Sequence, residues 1–279
     1  MKWLFALLLA TVVFGGAALV GYKVFLRPEI AVRDELKGGG PTRESPDLGL
    51  PEFEAAAKLK TDGKLAEARA ALTAFIQKYP SGAHVGEAQD LLGDVNTSIL
   101  LSNYPSPEKE EYTVRSGDVL ARIAARMKST PELIMRTNNL SGTMLRIGDR
   151  LLISHPVFTA LIQRDKGLIY LLDHDLFFKR YHFLHQKLPV RPPPKIVTRV
   201  AEILAWKNGK RIGMGSRDFL NSTRWIRLAA PGYVLYSEPD DSHPVLDVPP
   251  PNEGIGLSAT DVEELSSLVN TKTAVTITP

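Results

Sequence analysis

The sequence predicts an α+β multidomain fold, made of an N-terminal transmembrane helix, a short helical hairpin, a βααβ module and a mainly-β domain. Three observations carry this. Trp3–Tyr22 is a run without a charge, and apolar residues recur at helical spacing between Phe53 and Leu101. From Phe158 onward, short alternating runs are separated by turn residues.

With 44% hydrophobic and 23% charged residues over 279 positions, the composition is globular rather than disordered. The net charge of +3 comes from scattered Lys and Arg nearly balanced by Asp and Glu, so a nucleic-acid partner is not expected. There is no cysteine. Disulfides, thiolate metal sites, an N-terminal lipid-bearing cysteine and a cysteine nucleophile are all excluded.

Lys2 opens the charge-free run, and Lys23 and Arg27 close it. A run of roughly 20 apolar residues spans the ~30 Å hydrocarbon core, whereas a cleaved signal peptide has a core of about 7–15. Residues 1–27 are therefore expected to be an uncleaved signal anchor, with cleavage near Ala17 and Ala18 left open. The positive charges after the run argue against export, so orientation rests on the downstream modules. Residues 28–51, with Lys37-Gly38-Gly39-Gly40-Pro41, read as a flexible linker.

Residues 52–102 form three short amphipathic helices, broken at Asp62-Gly63 and Pro80-Ser81-Gly82. Gly63–Ala68, Phe75, Tyr79-Pro80 and Ala88 make this segment resemble one tetratricopeptide repeat and part of a second. A plain helical spacer fits as well. Residues 103–110 read as a second linker.

In residues 111–154, a strand from Tyr112 stops at Gly117-Asp118. A helix is expected over about 119–127, and Thr130-Pro131-Glu132 starts another. Asn138-Asn139-Leu140 ends it, and Gly148–Ile153 supplies a turn and a closing strand. Tyr112, Val114, Gly117, Asp118, Ile123, Ala124, Asn138, Leu140, Gly148, Leu151 and Ile153 together resemble the LysM family, with Val119 standing where that family usually has threonine. The resemblance implies binding of N-acetylglucosamine-containing glycan in a groove between Ser116-Gly117-Asp118-Val119-Leu120 and Met144-Leu145-Arg146-Ile147. Backbone groups at the Gly-Asp turn would pair with N-acetyl groups, and Met144, Leu145 and Ile147 would touch the sugar face. Leu145 and Ile147 suit the module's core equally well. Asp118 is read as a helix cap rather than a sugar ligand.

Residues 157–279 are strand-rich, and a mainly antiparallel sheet or sandwich is expected, followed by a capped helix from Ser258 to Leu268 and a last strand over 274–277. Ile162–Leu172, Thr198–Ala201 and Gly254–Leu265 resemble the catalytic domain of L,D-transpeptidases, which crosslink peptidoglycan stems through a cysteine thioester. On that resemblance Gly254 stands in place of the nucleophile, Asn252 in place of a histidine and Gly256 in place of an arginine. Tyr236 and Ser237 replace an earlier His-Gly. The thioester route needs a thiolate and a base, so this site is expected to be degenerate, with no catalytic residues. Ser242-His243 lies in a Pro- and Asp-rich loop without a third group to orient the imidazole. His174, His182 and His185 lack acidic partners at ligand spacing, so neither a metal nor a cofactor is expected.

The sequence thus points to a non-catalytic bacterial envelope protein, anchored in the inner membrane and facing the periplasm. Its expected partners are peptidoglycan, the cytoplasmic membrane and other envelope proteins. Two alternatives remain open: a peptidoglycan-modifying transferase or hydrolase with displaced catalytic residues, and a protein–protein scaffold.

Overall fold

A computed structural model describes residues 49–188 and 193–279, and the chain divides into two compact units at 91/92. The run 3–22 and most of the expected first linker lie outside the described residues. Among the described residues no helix is long and apolar enough to cross a membrane. The longest, of 16 residues, carries Glu87, Asp90 and Asp94. The fold class is therefore corrected from an α+β assembly headed by a transmembrane helix to a mainly-β half-barrel with short helices.

In the first unit, α1 (Leu50–Thr61) and α2 (Leu65–Lys78) flank a turn at Gly63. Ala56, Ala68 and Leu72 are buried at the contact, and small alanines let the helix backbones approach closely. Phe53 packs on Phe75 at a centroid distance of 5.7 Å and stacks on His84 at 4.9 Å. The helix α3 (Val85–Leu100) follows, and the boundary between the units falls inside it.

The second unit contains a two-stranded ribbon and a ten-stranded sheet. The ribbon pairs β1 (Lys109–Thr113) with β2 (Arg150–Ser154), antiparallel, and encloses α4 (Leu120–Arg126) and α5 (Pro131–Thr137). Thr130 caps α5, its hydroxyl accepting from Leu133 N–H at 3.0 Å. Asn138 clips the end of α5 to β2 through both Leu152 N–H and Leu152 C=O. The expected linker over 103–110 is tied down, because Lys109 donates to the carbonyls of Ile99 and Tyr104 at the end of α3.

The sheet strands are β3 (Phe158–Gln163), β4 (Leu168–Asp173), β5 (Leu176–His182), β6 (His185–Lys187), β7 (Ile196–Lys207), β8 (Lys210–Ile212), β9 (Thr223–Leu228), β10 (Val234–Glu238), β11 (Gly254–Ser258) and β12 (Ala274–Thr278). They run in the order β5-β4-β3-β12-β7-β9-β10-β11-β6, with β8 paired to β7. This is one continuous, mainly antiparallel sheet rather than a sandwich, with two parallel pairs, β10 with β11 and β12 with β3. A parallel pair needs a crossover. The helix α6 (Ala259–Leu268), capped by Ser258, lies between β11 and β12 and lays Val262, Leu265 and Leu268 on the core face. Glu264 of α6 then gathers Lys179 (2.9 Å) and the Tyr181 hydroxyl (2.8 Å), both on β5. Lys179 also reaches Asp94 of α3 at 3.2 Å.

The ribbon module and the sheet share side chains. Leu133 of α5 lies in the sheet core, while Met214 and Leu220, between β8 and β9, pack against the module core of Val114, Ile123, Ile134 and Ile153. Through this exchange runs a buried ion pair. Glu132 receives the Arg224 guanidinium at 3.1 and 3.2 Å, and Arg224 has no exposed side-chain surface. Arg224 also donates to Ser222 Oγ (2.9 Å) and Phe219 C=O (2.5 Å), and lies over the Phe219 ring at 3.9 Å. Arg136 links Glu132 (3.2 Å) to Glu263 of α6 (2.6 Å). Desolvation pulls the Arg224 pKa down against the Glu132 charge, yet guanidinium remains the form that all these acceptors require. Removing one partner of such a pair leaves the other buried and unsatisfied, at a cost of about 3–5 kcal/mol. Glu132→Gln is thus expected to lower the unfolding free energy by a few kcal/mol in urea titration. Replacing Glu132 by leucine together with Arg224 by methionine should recover much of the loss. A loss below ~0.5 kcal/mol for the single change, the level of an ordinary surface substitution, would contradict the buried pair.

Candidate functional site

The two loops expected to form the groove lie at the same end of the ribbon. Val114 N–H bonds Asp149 C=O (2.9 Å), and Gly148 N–H bonds Val114 C=O (2.9 Å), extending the pairing to where both loops leave the strands. Each loop contains the same device, a point the sequence reading missed although the signal is in the sequence: Arg115-Ser116-Gly117-Asp118 and Arg146-Ile147-Gly148-Asp149. In each, the Asp N–H bonds the Arg C=O at 3.1 Å and the Asp carboxylate accepts from the Arg backbone N–H, at 2.8 and 2.9 Å. The glycines adopt φ of +80° and +93°, the left-handed value that the third position of a type II turn requires.

Asp118 is therefore not the helix cap. Val119 occupies that position and makes no side-chain capping bond. The Asp118 carboxylate instead accepts from the Tyr112 hydroxyl at 2.7 Å and lies 3.6 Å from Arg126. The bond from Tyr112, then that from Arg115, hold its pKa below the ordinary value. Leu120 is fully buried in the module core and is not free to line a groove, while Leu145 is half-buried against that core. Ser116, Gly117 and Arg146 are exposed, as are three apolar side chains: Val119 (47%), Ile147 (74%) and Met144 (93%).

In the second expected site, the structure brings together Tyr236, Gly254 and Gly256 on the parallel strands β10 and β11. Gly254 has φ +145°, and a Cβ there would lie 2.4 Å from Val234 C=O and 3.1 Å from the Tyr236 ring. A Cβ at Gly256 would lie 2.8 Å from Glu238 and 3.2 Å from the other edge of the same ring. Tyr236, 3% exposed, fills the space that two side chains would need. Burial, and then the charge and hydrogen bond of Glu238, push its hydroxyl up to about 12. Ser237 faces away, its hydroxyl donating to Arg224 C=O at 2.9 Å, so it supports the ion-pair region instead. Asn252 is exposed and does not join the group.

The Pro- and Asp-rich loop between β10 and β11 is a pinned strap. Asp247 accepts from Asn208 N–H (3.1 Å) and bonds Thr223, and its own C=O accepts from Gly209 N–H (2.7 Å). Asp240 accepts from Thr260 N–H and His243 N–H, both at 2.7 Å. Desolvation opposes this, but the hydrogen bonds prevail and bring the Asp240 pKa to about 2. The reading of His243 as lacking an orienting partner is corrected: its ring nitrogens lie 3.3 Å from Asp240 and 3.4 Å from Glu263. His174 likewise has an acidic neighbour, Asp173, at 2.8 Å. Among the described residues no group of three or more His, Cys, Asp or Glu is placed to hold a metal ion.

Residues 112–154 match the LysM domain family. No curated protein matches the chain. Among solved structures, the chain is similar to an L,D-transpeptidase from Mycobacterium smegmatis, with a TM-score of 0.31 and 10% identity over 48% of this chain and 65% of that one. An L,D-transpeptidase from Mycobacterium tuberculosis H37Rv gives a TM-score of 0.30 and 13% identity over 48% and 70%. A variant of the Enterococcus faecium L,D-transpeptidase gives 0.29 and 11% over 67% and 83%. The chain spans less than two thirds of the first, and no side chain's role follows from likeness at this level.

Because Gly254 combines a left-handed backbone with a carbonyl 2.4 Å from any Cβ, Gly254→Ala is expected to cost about 2–4 kcal/mol in stability, measured by urea unfolding. A neutral substitution would show that Val234 and Tyr236 yield freely and that the position accepts a side chain.

Proposed function

We propose that this chain is a cell-envelope protein that binds peptidoglycan through its LysM module, and that residues 157–279 do no transpeptidase chemistry. The observation that carries the first part is the LysM match over residues 112–154, with its two turn loops exposed at one end of the ribbon. LysM domains bind peptidoglycan and related N-acetylglucosamine glycans. Val119, Ile147 and Met144 supply an apolar surface suited to a pyranose face, beside backbone groups held by the twin turns. In this reading Ser116, Gly117, Val119, Met144, Arg146 and Ile147 make the contacts. Leu120, Leu145 and Asp118 hold the loops in shape.

The second part rests on the absence of cysteine and on the packing of Tyr236 over Gly254 and Gly256. A thioester mechanism requires a thiolate, and the space beside Gly254 is closed to a side chain of any kind. Residues 157–279 then serve as the platform on which the LysM module is mounted.

The test is co-sedimentation of the full chain with insoluble peptidoglycan, comparing wild type with a Met144→Ser, Ile147→Ser pair. The pair removes two exposed side chains and should leave stability unchanged within ~0.5 kcal/mol, while weakening binding by about tenfold or more. Wild-type chain that stays in the supernatant would refute the glycan reading. Crosslinked or trimmed muropeptides appearing in the same incubation, followed by mass spectrometry, would refute the non-catalytic one.

A further inference from the structure

The module bearing the groove is more basic than the chain around it. Residues 112–154 hold seven Arg and Lys against three Asp and Glu, a net of +4, whereas the whole chain nets +3. All three acids are engaged internally. Asp118 accepts from Tyr112 and the Arg115 backbone, Glu132 from Arg224 and Arg136, and Asp149 from the Arg146 backbone.

Apart from Lys128, in the turn after α4, the cations divide into two sets. Arg126, Arg136 and Arg150 face Asp118, Glu263 and Glu111. Arg115, Arg122 and Arg146 are exposed, and among the described residues none forms a salt bridge. These three mark the groove loops. Arg115 and Arg146 are the first residues of the twin turns, and Arg122 donates to Gly117 C=O at 2.7 Å. Three guanidiniums without a carboxylate, at the mouth of two loops whose own acids are consumed by the turns, make a site short of negative charge. A guanidinium pairs with a carboxylate through two parallel N–H···O bonds, a geometry that a neutral sugar hydroxyl does not offer.

We propose that Arg115, Arg122 and Arg146 form a carboxylate-reading rim, so that the module prefers glycan strands bearing anionic peptide stems over the same kind of glycan without them. The inference rests on the glycan-binding reading above and adds a ligand class to it: the neutral sugar occupies the apolar floor, and the stem carboxylates meet the arginines.

The experiment compares the full chain and an Arg115→Gln, Arg122→Gln variant against three solids: intact peptidoglycan, peptidoglycan whose stem carboxylates have been capped as amides by carbodiimide coupling, and chitin. The wild type is expected to bind intact peptidoglycan about tenfold more tightly than capped peptidoglycan or chitin, with the preference fading as salt screens the exposed charges. The variant should bind all three alike, at the level of the wild type on chitin. Equal wild-type affinity for intact and capped material would overturn the rim while leaving glycan binding intact. Equal loss on all three solids in the variant would also overturn it, since the arginines would then be supporting the fold of the groove. Failure of the wild type on every solid would refute the glycan reading itself, and the rim with it.

Discussion

The Glu132–Arg224 pair is the interaction on which the arrangement of the larger unit depends. Neither charge has water to fall back on, so the two hold each other in place: Arg224 is fixed by Glu132, Ser222 and Phe219 together, and Glu132 by Arg224 and Arg136. The pair is not where most of the stabilising energy arises, because desolvating two ions offsets much of their attraction. Its effect is on geometry. Two apolar surfaces can slide over one another at small cost, but a bidentate ion pair whose guanidinium is also held by Ser222 and Phe219 has one arrangement. The exchange of Leu133 for Met214 and Leu220 supplies the burial, and the pair sets its register.

From that constraint the polar contacts continue outward. Arg136 joins Glu132 to Glu263 on α6, and Glu263 reaches His243, which bonds Asp240 at the start of the strap. Ser237 closes the other side by bonding the backbone of Arg224. A βααβ module that would elsewhere be a bead on a linker is thereby built into a sheet. Under the proposed glycan reading, the two turn loops are presented from a fixed body rather than from a tether, which would lower the entropy lost on binding a long polymer. The strap, pinned at Asp240 and Asp247, and the Tyr236 ring over Gly254 and Gly256 leave the opposite region of the sheet filled. The proposed glycan surface is the outer end of the ribbon.

Much of this was legible in local sequence. The alternation in Phe158–Gln163 and Leu168–Asp173 and the Ser258 cap give strands and a helix where they stand, because these signals need only neighbouring residues. The matched module was visible for the same reason: its turns at Gly117-Asp118 and Gly148 and its Thr130-Pro131 start are short-range devices. What sequence did not convey was long-range. Glu132 reads as an ordinary first-turn acid, and nothing near it announces a guanidinium 92 positions away. Leu120 and Leu145 were grouped with the groove because they flank it in sequence, whereas burial is a property of the folded surface. Asp118 was taken for a cap because a helix follows it; the competing Tyr112 hydroxyl is six residues back across the turn. The single continuous sheet, with its two parallel pairs, depends on which strands meet, and alternation within a strand is silent on that.

The central claim is that the LysM module and the sheet form one cooperative body. Hydrogen exchange of the full chain in increasing denaturant, read by mass spectrometry, tests it most directly. The account predicts that amides of α5 and β2 lose protection at the same denaturant concentration as those of β9 and β10, as one opening unit. Loss of protection across residues 112–154 while β9 and β10 remain protected would show a module that merely rests on the sheet, and would contradict the account.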